Sequence, residues 1–273
     1  ASVGTVDVAM NIQAVMVEKD SGRNMMSGFH GLFSLGGIVG AGGVSLLLGF
    51  GVSPLAATLA ISAMLAVLLV YSFSGLLPYG NREAGDTPLF VVPKGIVIFI
   101  GLLCFLVFLG EGAILDWSAL FLIGTHQVDP VQAGFGYTMF AIAMTLGRLT
   151  GDKIVKALGG TKVVVIGGLL AAAGVLLAVF APAQPLAFAG LLLVGLGASN
   201  IVPVLFTAAG NQTRMPASLA IAAITTLGYA GILAGPAAIG FIAQHWTLST
   251  AFILVAVGLV FVAVSWPLTT RRR

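Results

Sequence analysis

The chain has little of what a water-facing protein needs. Only 8% of its 273 residues are charged and 59% are hydrophobic, where a soluble domain carries about 25% charged residues. That excludes a soluble globular domain and leaves an integral membrane protein. A single cysteine, Cys104, excludes an intrachain disulfide, and its place in Leu-Leu-Cys-Phe-Leu makes it a small core residue. The three histidines, His30, His126 and His245, share no metal-ligand spacing, so neither a metal site nor a cofactor is expected. No nucleophile elbow and no phosphate-cradling glycine loop is present, so nothing supports an enzyme. The net charge of +3 comes without a basic patch or interleaved aromatics, so no nucleic-acid partner is expected. The sequence opens on Ala1 inside an apolar run, with no initiator Met and no signal-peptide n-region, and is read as lacking its beginning.

What is abundant is apolar sequence in long runs. A membrane-spanning helix needs roughly 20 such residues. Nine runs qualify, at about 1–17, 26–50, 53–77, 95–122, 131–151, 162–181, 186–209, 216–243 and 248–267. Strands of a membrane barrel would be shorter and alternating, so all nine are predicted helices. The 37 glycines suit close helix packing in a bilayer. All twelve Lys and Arg fall in alternate connections: Lys19, Arg23, Arg82, Lys94, Arg148, Lys153, Lys156, Lys162, Arg214 and Arg271 to Arg273. The intervening loops near 51, 126, 184 and 246 hold none. The basic side is therefore expected to be cytoplasmic, with the Arg273 end inside. In a bacterial cell this means the inner membrane.

The longest hydrophilic connection runs from Pro78 to Lys94 and reads as a cytoplasmic linker. It divides a three-helix bundle at 1–77 from a six-helix bundle at 95–273. A short repeat agrees with this division: Arg23 and Ser27 open the second run as Arg214 and Ser218 open the eighth. On this reading the first bundle should also have six helices, with three absent.

Gly147-Arg148-x-x-Gly151-Asp152-Lys153, followed by Gly159, resembles the loop between helices eight and nine of the major facilitator superfamily. Gly231-x-x-x-Gly235-Pro236-x-x-x-Gly240 resembles that superfamily's eleventh helix. The resemblance covers the whole chain. It implies an all-α integral membrane protein with the two-bundle fold, nine transmembrane helices of an expected twelve (helices four to twelve). Gly4-x-x-Asp7-x-x-x-Asn11 is similar to the acid-x-x-x-Asn of the fucose-permease-like sugar:proton symporters and their bacterial inner-membrane relatives. The acid here is Asp rather than Glu, and Ile12 stands where those symporters have Pro.

Asp7 lies about 18 Å along the helix from Lys19, near the bilayer midplane. An ionised carboxylate there costs roughly 2.5–3.5 kcal/mol unless it faces a polar cavity or takes up a proton. This makes Asp7 the candidate proton-coupling acid, with pairing to another helix as the structural alternative. Asn11, one turn on, is a candidate substrate contact. Glu111, between Gly110 and Gly112, is a second candidate acid, at a point where the glycines are predicted to break the helix. Asp116 and Trp117 read as an outer-interface pair. His30, Asn200 and Tyr229 are further candidate substrate contacts, although core packing explains each as well; Pro203 adds a predicted kink beside Asn200. His126 and His245 are expected to be solvated. Arg148 and Asp152, four apart, are predicted to pair at a helix end; the resemblance to the superfamily loop implies that they act with Lys153 as a cytoplasmic gate, with plain positive-inside charge as the alternative.

These residues lead to a secondary transporter, expected to be a monomer in the lipid bilayer, taking up a small polar solute such as a sugar together with protons by alternating access. Two alternatives stay open. One is proton-antiport efflux of drugs or metabolites, since Gly36-x-x-x-Gly40-Ala41-Gly42-Gly43 partly resembles an antiporter motif. The other is a sensor or assembly subunit that transports nothing.

Overall fold

A computed structural model describes residues 2–77 and 92–270. The linker sequence at 78–91, with Arg82, and the terminal Arg271 to Arg273 lie outside the described residues. The rest is helical: α1 (Ser2–Ser21), α2 (Met26–Gly49), α3 (Pro54–Phe73), α4 (Ile96–His126), the single turn α5 (Pro130–Ala133), α6 (Phe135–Leu158), α7 (Gly160–Phe180), α8 (Gln184–Ala198), α9 (Ile201–Asn211), α10 (Ala217–His245) and α11 (Leu248–Thr270). Because α5 leads into α6 and α8 into α9, these make nine crossings among the described residues. Seven are long and apolar enough on their own to span a membrane. The other two, α1 and α6, are the more polar pair; they hold Asp7, Glu18, Arg148 and Asp152.

Turn chemistry sets the boundaries. Gly22 (φ 63°), Gly51 (φ 80°) and Gly159 (φ 78°) adopt left-handed conformations that a side chain would resist. Ser53 caps α3 by accepting from Ala56 N, and Pro54 takes the first helical position, where no N–H is needed. Asp129 and Pro130 repeat the device at α5. The outcome at residues 147–153 differs from the sequence expectation. They form no loop; α6 continues to Leu158 and turns only at Gly159. Arg148 is thereby placed near the middle of a helix instead of at its end.

Helices α4 and α6–α11 make one bundle, in which α10 packs on α4, α7 on α8 and α11, and α6 on α8. Its apolar interior has two layers. One holds Phe121, Phe252, Leu122 and Leu191; the other, nearer the Lys/Arg-rich face, holds Ile100, Leu103, Phe206 and Ile221. Small residues let backbones touch. A Cβ on Gly174 would lie 2.7 Å from Gly190 O, and one on Gly190 would lie 2.6 Å from Gly174 O. Gly167 and Gly197 meet the same way one level further along. Helices α1 and α2 lie against this bundle, α1 on α10 and α9, α2 on α6 and α9, while α3 packs on α2.

Helix α4 is continuous through Gly110 and Gly112, so the predicted break at Glu111 is absent. The two glycines serve packing: a Cβ at Gly110 would sit 3.2 Å from Val255 Cγ1, and one at Gly112 3.7 Å from Ile232 Cα. The break falls instead at Ser199 and Asn200, between α8 and α9, next to Pro203. His126 is not merely solvated; its Nε2 bonds Ala178 O at 2.7 Å and ties the end of α4 to α7.

Candidate functional site

A cavity of about 200 Å³ opens where α1 and α2 face α4, α6 and α10. Six polar side chains line it: Asp7 and Asn11 from α1, His30 from α2, Glu111 from α4, Arg148 from α6 and Tyr229 from α10. Apolar rings of Phe29, Phe33, Phe108 and Phe206 complete the wall. Helical spacing explains the convergence on α1, since Asp7 and Asn11 are one turn apart on a single face. Asn11 is buried and donates from Nδ2 to the Asp7 carbonyl at 3.0 Å. Asp7 is half-buried. The His30 ring stands edge-on to Phe206, and its Nε2 is buried with no hydrogen-bond partner.

Arg148 is the best-connected group in the cavity. Its Nη2 approaches Glu111 Oε2 at 3.3 Å, the one ion pair among the described residues. Nη1 donates to Ser34 Oγ at 2.9 Å, and Nε donates to Ser199 O at 3.3 Å. The last contact follows from sequence. Pro203 has no N–H, so the carbonyl four residues earlier, that of Ser199, has no helical donor. Arg148 takes that free carbonyl. Its guanidinium fork then satisfies a carboxylate, a hydroxyl and a carbonyl at once, which a lysine cannot do.

The pairing of Arg148 with Asp152 predicted from their spacing does not form, because the two project from α6 to different partners. The Asp152 carboxylate accepts from Ser27 N at 3.0 Å and Gly28 N at 2.9 Å. These are first-turn donors of α2, which have no acceptor within their own helix. A carboxylate at a helix N-terminus also gains from the helix dipole. Glu18 takes the two preceding donors, Met25 N and Met26 N, each at 2.8 Å, and accepts from Thr207 Oγ1 at 2.6 Å. One turn further along α2, Gly31 packs on Leu149, where a Cβ would lie 3.0 Å from Leu149 N. Lys19 adds a bond from Nζ to Gly210 O at 2.5 Å. Thus Ser34, Gly31, Gly28 and Ser27 on α2 meet Arg148, Leu149 and Asp152 on α6 along one seam, which closes towards the Lys/Arg-rich ends of the helices. Lys153 is exposed and takes no part in it.

Asn200 is the candidate that the structure removes from the cavity. It is buried at the α8–α9 break, donating from Nδ2 to Gly147 O and Ser199 Oγ, each at 2.9 Å. It holds α6 against α9, and a Cβ on Gly151 would collide with its side chain. Asp116 is exposed, and the Trp117 ring packs 3.1 Å from where a Gly240 Cβ would be. Ser34 was not among the candidate site residues, whereas Ser199 lies at the kink that Pro203 predicts, and its free carbonyl is the one Arg148 takes.

Two helix bundles enclosing a polar cavity within a membrane-length shell define a multi-pass membrane carrier. A sequence model of the Major Facilitator Superfamily matches residues 100–273. An MFS-type transporter of Yersinia pestis is 60% identical over 271 residues, which is 99% of this chain and 70% of the relative. Membrane protein MosC of Rhizobium meliloti is 32% identical, covering 97% of this chain and 65% of MosC. The E. coli fucose:proton symporter FucP shares the fold, with a TM-score of 0.76 at 16% identity, over 95% of this chain and 72% of FucP. The chain belongs to the Major Facilitator Superfamily.

Proposed function

We propose that this transporter takes up a small polar solute, of the size and chemistry of a sugar, together with a proton across a bacterial inner membrane. The reading rests on one observation: six polar side chains from five helices converge on one cavity between the bundles. Asp7 is the proton-linked acid and Glu111 the second. Asn11, the free His30 Nε2 and Tyr229 supply donors and acceptors to solute hydroxyls, and the phenylalanine rings provide flat apolar walls. The Lys/Arg-rich face is cytoplasmic, so the α2–α6 seam with its Asp152 cap is the inner gate, shut in this conformation. The 1–77 and 95–273 segments rock about the cavity, joined through the linker at 78–94.

Uptake by the intact protein in proteoliposomes tests this. With an inward proton gradient, Asp7→Asn should abolish accumulation while leaving solute exchange measurable. Undiminished gradient-driven accumulation by Asp7→Asn removes Asp7 from the mechanism.

A further inference from the structure

We infer that the groove between the start of α4, the α9–α10 connection and the end of α11 seats one anionic glycerophospholipid, its phosphodiester held by Lys94 and Arg214. This seat is separate from transport and independent of which solute is carried. The groove has a volume of about 1030 Å³ and lies at the Lys/Arg-rich ends of these helices. It shares no lining residue with the cavity between the bundles. Its charged lining is Lys94 and Arg214, with no carboxylate among the described residues that line it. Both basic residues are exposed, and neither forms an ion pair among the described residues.

Local structure fixes the cations. Gln212 is buried; its Oε1 accepts from Arg214 N at 2.7 Å and Met215 N at 3.1 Å, and its Nε2 donates to Met215 O at 2.7 Å. The connection is therefore a tied turn. From it the Arg214 stem runs past Gly95, where a Cβ would lie 3.7 Å from Arg214 Cγ. Gly95 opens α4 without a side-chain cap, so first-turn N–H groups add to the positive end. On α11, Ser265 and Thr269 line the groove one turn apart. Their hydroxyl protons go to Phe261 O at 2.5 Å and Trp266 O at 2.7 Å, which leaves oxygen lone pairs for the hydroxyls of a glycerol headgroup. Away from this polar end the groove is bounded by Phe261 and Leu268. With Val257 and Val264 they form an exposed apolar stripe at helical spacing along α11. Thr269 and Phe261 are separated by about 12 Å along the helix. The groove thus passes from cations and hydroxyls to bare apolar surface within one helix end. A soluble anion needs no such wall, and an acyl chain does. Basic pockets between helices on one side of a membrane are the usual seats of anionic headgroups.

The test uses the intact protein in neutral detergent, with phosphatidylglycerol as the probe and bound lipid counted by native mass spectrometry. One phosphatidylglycerol should bind saturably and more tightly than phosphatidylcholine. Lys94→Gln and Arg214→Gln should each weaken it about fivefold. Arg214→Lys should recover part of the loss, because the charge returns without the guanidinium fork. Lys156→Gln combined with Lys162→Gln removes charge from exposed positions on the same face but outside the groove, and should leave binding unchanged. Size-exclusion profiles matching the parent separate each loss from a folding defect. Equal binding of the two lipids overturns the inference. So does a loss in the Lys156/Lys162 double variant as large as in the Lys94/Arg214 pair, which reduces the seat to diffuse attraction. Displacement by inorganic phosphate, or by glycerophosphoglycerol without acyl chains, at the same concentration as the lipid assigns the groove to a soluble anion and rejects the lipid. Lipid binding that appears only after Glu83→Gln and Asp86→Asn assigns the groove to the 78–91 linker and rejects it equally.

Discussion

Replacing Asp152 with alanine isolates the force that holds the α2–α6 seam, the gate of the proposed mechanism. The carboxylate accepts two backbone N–H groups across the seam, at 3.0 and 2.9 Å. Hydrogen bonds to a charged group contribute about 1.5–3 kcal/mol each. Asp152 is only half-buried, so solvent screens part of this, and the pair together supplies about 2–3 kcal/mol. In the open state the same N–H groups and the carboxylate are solvated, so the loss falls on the closed state alone. The closed-to-open ratio should therefore fall by roughly 30- to 150-fold. A closed state favoured by about a hundredfold would drop to near parity, a change large enough to see directly. Spin labels at Asp20 and Lys156, both exposed and on opposite sides of the seam, report it as a second, longer distance in pulsed electron resonance. Asp152→Asn keeps one acceptor oxygen without the charge and should fall between the two. A single short distance in Asp152→Ala, unchanged from the parent, would refute the claim that this cap closes the gate.

Other consequences can be checked separately. Pro203→Ala restores an N–H that competes with Arg148 for Ser199 O; α8 and α9 should straighten and uptake should fall severalfold, with little change in expression. Gly190→Val forces a side chain into the α7 backbone and should leave little folded protein by size-exclusion fluorescence, whereas Gly40→Val, with nothing within 4 Å of the added carbon, should be tolerated. His126→Ala removes the bond to Ala178 O and should cost about 1 kcal/mol, read as a lower melting temperature with unchanged uptake.

Much of the fold was legible in the sequence because the bilayer imposes a length and a charge rule that a chain cannot evade. Nine apolar runs became nine crossings among the described residues. The lining of the candidate cavity was legible where one residue type has few other reasons to be present, as for Asp7 and Glu111 deep in apolar runs. It was misread where neighbours in sequence suggested a shared fate. Arg148 stands beside Asp152 and Lys153, so it looked like loop charge, but one extra helical turn carries it inside. Gly110 and Gly112 looked like hinges and are contact points for α11 and α10. Asn200 is polar and mid-span like the cavity residues, and only its direction separates it from them. Direction depends on which helix lies opposite, and no local pattern encodes that.

The glycine crossings of α7 with α8 have a mechanical corollary. Where Gly174 abuts Gly190 and Gly167 abuts Gly197, main chain rests on main chain, and neither helix can slide without collision. Compliance in this half of the protein is thus confined to its periphery, and any large displacement must be a swing of the whole block, pivoting at polar contacts that can be undone one by one.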